Sequence, residues 1–217
     1  MTKTILIFGD SITWGSNPEA GGARHARENR WPTVLGQGLG ASVEIIVEAM
    51  RGRTTAFDDH LVDGDRNGAR ILPTLLYSHA PVDLVILMLG CNDMKPGIAG
   101  DSSSAYLGMK RCLEIVTSHN PRLPGAAKAP KVLLVAPPPQ VATRDPFYAT
   151  LFGPSAVSES AKMASLYGAL AVEFDCAFFD ASKVASAHPA DGVHLDAANT
   201  RAIGQALIAP VRALLDF

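Results

Sequence analysis

Cysteine is scarce in this chain of 217 residues. Its three cysteines, Cys91, Cys112 and Cys176, form neither an even set nor a CxxC pair, which excludes a disulfide framework and a thiolate zinc site of that spacing. An excess of either charge is missing as well. Nineteen Lys and Arg stand against 21 Asp and Glu, a formal net charge of -2, so there is no basic surplus to displace counterions from a nucleic acid. Long apolar runs are also absent. Near the start the longest is Ile5-Leu6-Ile7-Phe8, too short for the apolar region of a signal peptide or for a membrane span. A soluble, cytoplasmic protein in a reducing compartment is expected, engaging neither nucleic acid nor membrane. Apolar residues are plentiful, with 47% hydrophobic against 18% charged, so the chain can bury a core. The length predicts a single domain over 1–217.

The apolar pattern alternates between short runs and longer helical stretches. Thr4–Phe8, Val43–Val47, Leu84–Leu89, Val132–Val135 and Cys176–Phe179 are apolar on consecutive positions, as strands buried on both faces are. Helices are expected over Trp31–Leu39, Ala69–Tyr77, Ser103–Ser118, Ser155–Val172 and Ala197–Leu215. This alternation predicts a three-layer α/β/α sandwich with a flavodoxin-like parallel sheet of order 2-1-3-4-5. The Gly/Pro/Ser-rich stretches Gly97–Ser104 and Pro121–Pro130 are expected as surface loops. In such a sheet, ligands bind beyond the carboxyl ends of the strands where the order reverses. The residues following Phe8 and Leu89 are therefore the first to inspect.

After strand 1 comes Gly9-Asp10-Ser11-Ile12-Thr13-Trp14-Gly15. A serine here stands over the sheet edge, close to helix N–H groups that can hold a developing oxyanion; the plainer alternative is a helix cap. After strand 3, Gly90-Cys91-Asn92-Asp93 offers a close backbone approach and an uncharged amide donor, or simply a turn. Strand 2 leads to Arg51-Gly52-Arg53-Thr54-Thr55, where Gly52 can present its N–H to the same crevice. After strand 5, Asp191-Gly192-Val193-His194 lets a carboxylate fix the tautomer of an imidazole three residues on, leaving Nε2 free as a base. Each segment is weak alone. Together they supply a nucleophile, oxyanion donors and an Asp–His base, each at the end of a strand.

Gly9-Asp10-Ser11, Gly52, Gly90-x-Asn92-Asp93 and Asp191-x-x-His194 resemble the four sequence blocks of the SGNH (GDSL-type) hydrolases. With Arg53-Thr54-Thr55, Met88-Leu89-Gly90-x-Asn92-Asp93-x-Lys95 and Val135-x-Pro137-Pro138-Pro139, the chain is similar to that family's small aryl-esterase/acyltransferase branch. The resemblance implies hydrolysis of acetyl-like short acyl esters, of aryl alcohols or sugars, with acyl transfer to alcohols in some relatives and frequent homo-oligomers. The expected roles are Ser11 as nucleophile, His194 as base and Asp191 as its orienting partner. The Ser11 and Gly52 N–H groups and the Asn92 side chain form the expected oxyanion hole. No metal or organic cofactor is needed. Trp14, Lys95, Phe147, Tyr148, Phe152 and Leu195 are candidates for the pocket wall, with Phe147–Phe152 expected as irregular chain after strand 4. Cys91 falls at a variable position of the third block and can alter the pocket. The polar stretch Ser16–Arg30 is expected as a solvated loop.

Two other classes of function compete. A metal-dependent phosphohydrolase has enough ligands in Asp10, Asp58, Asp59, His60, Asp93, Asp191 and His194, but no recognisable spacing. A non-enzymatic, flavodoxin-like nucleotide binder finds a glycine-rich stretch in Gly36-x-Gly38-x-Gly40. That stretch follows a helical segment and lacks GxGxxG spacing, so a helix end is expected there instead.

Overall fold

Strands form where β-branched and aliphatic residues run consecutively, and five such runs pair in parallel. They are β1 (Lys3–Gly9), β2 (Val43–Ala49), β3 (Leu84–Met88), β4 (Lys131–Ala136) and β5 (Ala177–Asp180), in the order β2-β1-β3-β4-β5. The computed structural model describes residues 2–120 and 129–216. Most of the expected loop Pro121–Pro130 therefore lies outside the described residues. Every position of β3 is buried, so both faces of the sheet are covered. Edge strand β2 is only half-buried.

The helices are α1 (Ser11–Trp14), α2 (Trp31–Leu39), α3 (Gly68–Ser78), α4 (Ser102–Thr117), α5 (Pro146–Phe152), α6 (Ala156–Ser160), α7 (Met163–Glu173) and α8 (Ala197–Leu215). One layer pairs α2 with α8, and the other sets α3, α4 and α7 in a row. This is the α/β sandwich that the alternation of short and long apolar segments predicts. Among the described residues no helix is long and apolar enough to cross a membrane.

Three local features differ from the sequence reading. The expected helix Ser155–Val172 is broken into α6 and α7, because the Lys162 N–H bonds the Glu159 carbonyl three residues back and tightens the turn between them. Phe147–Phe152 is not irregular but lies in α5. Asp145 caps it by accepting from the N–H groups of Phe147 and Tyr148, and Pro146 occupies its first turn. Helix α4 begins at Ser102, one residue before the expected Ser103, because Asp101 caps it by accepting the Ser104 N–H. The glycine-rich Gly36–Gly40 stretch is the end of α2, as the sequence suggests, with the Gly40 N–H closing onto the Gly36 carbonyl.

Register carries all five strands to one edge. Gly9 pairs with Ala49 and Met88, Leu87 with Leu134, and Ala136 with Asp180, so the carboxyl ends finish level. The order reverses between β1 and β3, which opens the crevice that receives the loops.

Helices α2 and α8 approach closely at Gly204. A methyl group there would lie 2.6 Å from the Trp31 carbonyl oxygen and 2.7 Å from Val34 Cβ. Gly204→Ala is expected to lower stability by about 1–3 kcal/mol through overpacking. Thermal unfolding is the measurement, and an unchanged Tm would show that the two helices separate freely.

Candidate active site

The turn after β1 places the serine. Asp10 caps α1 by accepting the Ile12 N–H at 2.9 Å, which puts Ser11 first in the helix with its N–H unpaired by the helix ladder. After β5 the chain returns through Asp191-Gly192-Val193-His194. Asp191 Oδ1 accepts the N–H groups of Val193 and His194, both at 2.9 Å, and this turn brings the imidazole back over its own carboxylate. Gly192 has φ +78°, and a side chain there would meet the Val141 carbonyl at 2.5 Å, so glycine is required.

The three groups meet. His194 Nδ1 lies 2.6 Å from Asp191 Oδ2, and His194 Nε2 lies 2.8 Å from Ser11 Oγ. All three side chains are buried. Burial pushes Asp191 up, but hydrogen bonds from His194 and Val193 with the His194 charge outweigh it, and its carboxyl is held below the ordinary value. An ionised Asp191 keeps the proton on Nδ1 and leaves Nε2 able to take one from Ser11.

A second set of contacts frames Gly52 and Asn92. Gly52 has φ +80°, a conformation that glycine adopts without strain. Asn92 opens a 3-10 turn and donates from Nδ2 to the Arg53 carbonyl at 3.1 Å, which leaves its other N–H to point elsewhere. Asp93 is fully buried and accepts from both the N–H and the hydroxyl of Thr55. Arg53 is buried too, and donates to the carbonyls of Gly9 and Glu48 with its guanidinium 4.3 Å from the Phe8 ring centre. Arg53 and Asp93 thus tie the Gly52 and Asn92 segments to each other and to the end of β1. They were legible only as parts of the motifs around them.

Ser11, Gly52, Asn92 and His194 open into a cavity of about 720 Å³. Of the pocket candidates, Trp14, Lys95, Phe147, Tyr148 and Phe152 line it. Three of these come from α5. The Tyr148 ring stands perpendicular to His194 at 5.9 Å and stacks on Phe152 at 6.3 Å. Leu195 does not line it. Its side chain is buried in the core, because the residue after His194 turns inward while its carbonyl meets His25 Nε2 at 2.8 Å. That contact also ties part of the Ser16–Arg30 stretch, expected as solvated, to the histidine loop. Cys91 is likewise buried and outside the lining, and burial pushes its thiol well up. The sequence reading missed Arg51, Leu61, Val62, Arg66 and Ile98, which the loops after β2 and β3 contribute to the wall.

The rival ligand set does not gather. Asp58 bonds Arg70 and Asn67, Asp59 bonds Arg66, and Asp93 bonds Thr55. Among the described residues no group of three or more His, Cys, Asp or Glu is placed to hold a metal ion.

A five-stranded parallel sheet with these blocks on its carboxyl edge defines an ester hydrolase of the SGNH class. The chain belongs to the GDSL-like lipase/acylhydrolase family, whose sequence pattern matches residues 7–202. It is similar to the crystal structure of a carbohydrate acetylesterase family member from Sinorhizobium meliloti, at 49% identity and TM-score 0.96 over 100% of both chains. The native aryl esterase of M. smegmatis matches at 40% identity and TM-score 0.92, over 98% of this chain and 100% of that one. A second carbohydrate acetylesterase from Sinorhizobium meliloti matches at 36% identity and TM-score 0.92 over the same shares. No curated protein sequence matches significantly.

Asp10 sets a pH dependence. Burial pushes its carboxyl up from 3.8 to about 6, against the pull of the Ile12 N–H and the His194 charge. A carboxyl raised in the folded state contributes stability that is full below its unfolded value and is lost as pH rises through the folded one. Asp10→Asn keeps a cap acceptor but does not titrate. Its stability relative to wild type is expected to rise between about pH 4 and pH 6.5. A Tm difference that stays flat over that interval would mean that Asp10 titrates as an ordinary carboxylate.

Proposed function

We propose that this esterase hydrolyses short-chain, acetyl-like carboxylic esters of aryl alcohols or sugars through an acyl-enzyme on Ser11, and passes the acyl group to alcohols as well as to water. The observation that carries the reading is the Asp191–His194–Ser11 relay, with contacts of 2.6 and 2.8 Å, opening into a cavity walled by aromatic side chains. The names of the similar structures, aryl esterase and carbohydrate acetylesterase, support the substrate class.

In this mechanism Ser11 Oγ attacks the ester carbonyl as His194 Nε2 takes its proton, and Asp191 stabilises the imidazolium that forms. The oxyanion is received by the N–H groups of Ser11 and Gly52 and by the Asn92 amide. His194 then protonates the departing alcohol, and water or a second alcohol attacks the acyl-enzyme with the proton transfers reversed. Crowding by Tyr148, Phe152 and Trp14 favours a small acyl group. The same reading takes residues 1–217 as one hydrolase domain, a cytoplasmic homo-oligomer. The resemblance to the esterase branch supports the assembly, and three free cysteines fit a reducing compartment.

Steady-state turnover of p-nitrophenyl acetate, butyrate and octanoate tests the proposal. Rates are expected to fall with acyl length and to vanish in Ser11→Ala with its circular dichroism unchanged; wild-type activity in that variant would refute the acyl-enzyme. Faster octanoate than acetate would refute the small acyl pocket. Asn92→Ala is expected to lose about 10²–10³ in kcat with little change in KM, as befits a donor used only in the transition state. A pure KM effect would instead make Asn92 a substrate ligand.

A further inference from the structure

Two of the cavity's cations, half-buried Lys95 and exposed Arg51, touch no carboxylate among the described residues. The lining holds three cations, Arg51, Arg66 and Lys95, and one carboxylate, Asp59. Asp59 is already engaged, because its Oδ2 accepts from Arg66 Nη1 at 2.6 Å and its Oδ1 accepts the Leu61 N–H at 3.2 Å. Lys95 Nζ lies 5.5 Å from the Phe152 ring centre, and the Arg51 guanidinium lies 5.4 Å from that of Trp14. Among the described residues neither cation forms an ion pair. Burial and the nearby Arg66 charge hold the Lys95 ammonium below its ordinary value, against the longer-range pull of Asp59, Asp10 and Asp93.

A partly buried ammonium close to a second cation is unfavourable by itself, and the Phe152 ring offsets only part of that. A neutral acetyl ester offers it no counter-charge. The two cations also adjoin the proposed oxyanion donors along the chain. Arg51 precedes Gly52, and Lys95 follows directly on the 3-10 turn Asn92–Met94. Both line the same cavity as Ser11, Gly52 and Asn92.

We propose that the cavity selects acetyl esters whose alcohol portion carries a carboxylate, which Lys95 and Arg51 pair with. The inference rests on the esterase reading above. The negative charge belongs to the alcohol portion, since an acetyl group has no position for one. The alcohol released is then a hydroxy acid in its anionic form.

The test compares 4-acetoxybenzoate with its neutral isostere 4-acetoxybenzamide in wild type, Lys95→Gln, Arg51→Gln and the double variant. Each kcat/KM is divided by that ester's own rate of alkaline hydrolysis, which removes the difference in leaving group. Wild type is expected to prefer the carboxylate by about tenfold at low ionic strength, and the preference to shrink with added salt. Each single variant is expected to lose several-fold of that ratio, and the double variant to bring it to one or below. A merely structural role would depress both esters together and leave the ratio unmoved. That result, or a wild-type ratio of one or less, overturns the proposal. Ser11-dependent turnover of p-nitrophenyl acetate without a carboxylate preference sinks this inference alone, whereas no turnover of any acetyl ester sinks the esterase reading with it.

Discussion

The contact between Ser11 Oγ and His194 Nε2 joins two points of the chain 183 residues apart, and much of the fold serves to hold it. One partner sits in the turn that follows directly from β1. The other sits on a loop that no strand carries to its place, so neighbouring loops must fix it. The Val141 N–H bonds the Gly192 carbonyl, the Gly192 N–H bonds that of His188, and the His188 N–H bonds that of His194. His25 holds the carbonyl of Leu195 from the far side. A loop pinned at this many points keeps the imidazole in register with the serine without substrate present.

The frame beneath the site is built from buried charge, an expensive material. Arg53 and Asp93 lie below the surface and spend their hydrogen bonds on Gly9, Glu48 and Thr55. Their satisfaction is incomplete: among the described residues Arg53 Nε and Asp10 Oδ2 have no partner. Burial pushes Asp93 up to about 6, despite the Thr55 donors that pull it down. Apolar residues at these positions would pack at lower cost, but they could not fix the direction of the backbone at Gly52 or the side chain at Asn92. The arrangement gives up some stability for the position of Gly52 and Asn92.

The sheet was legible because its signal is local. Consecutive aliphatic residues such as Leu84–Met88 exclude an amphipathic helix, and alternation with helical periods orders the strands. The signal for α5 is equally local, Asp145 as cap and Pro146 in the first turn, but its apolar stretch is too short to show a helical period. The break between α6 and α7 was not legible. It depends on one hydrogen bond from Lys162 to Glu159 where the composition still favours helix.

The sequence by itself determined the strands, their alternation with helices and the four blocks, because each follows from chemistry between residues one to four positions apart. Tertiary structure alone decided which neighbours of those blocks face the cavity. Leu195 and Tyr148 looked alike as wall candidates, yet one is buried in the core and the other stands edge-on to His194. Arg51, Arg66 and Lys95 drew no attention as a group, since they belong to loops that meet only across the sheet edge. Where a side chain points from an irregular loop is set by everything packed around it, and that information is spread over the whole chain.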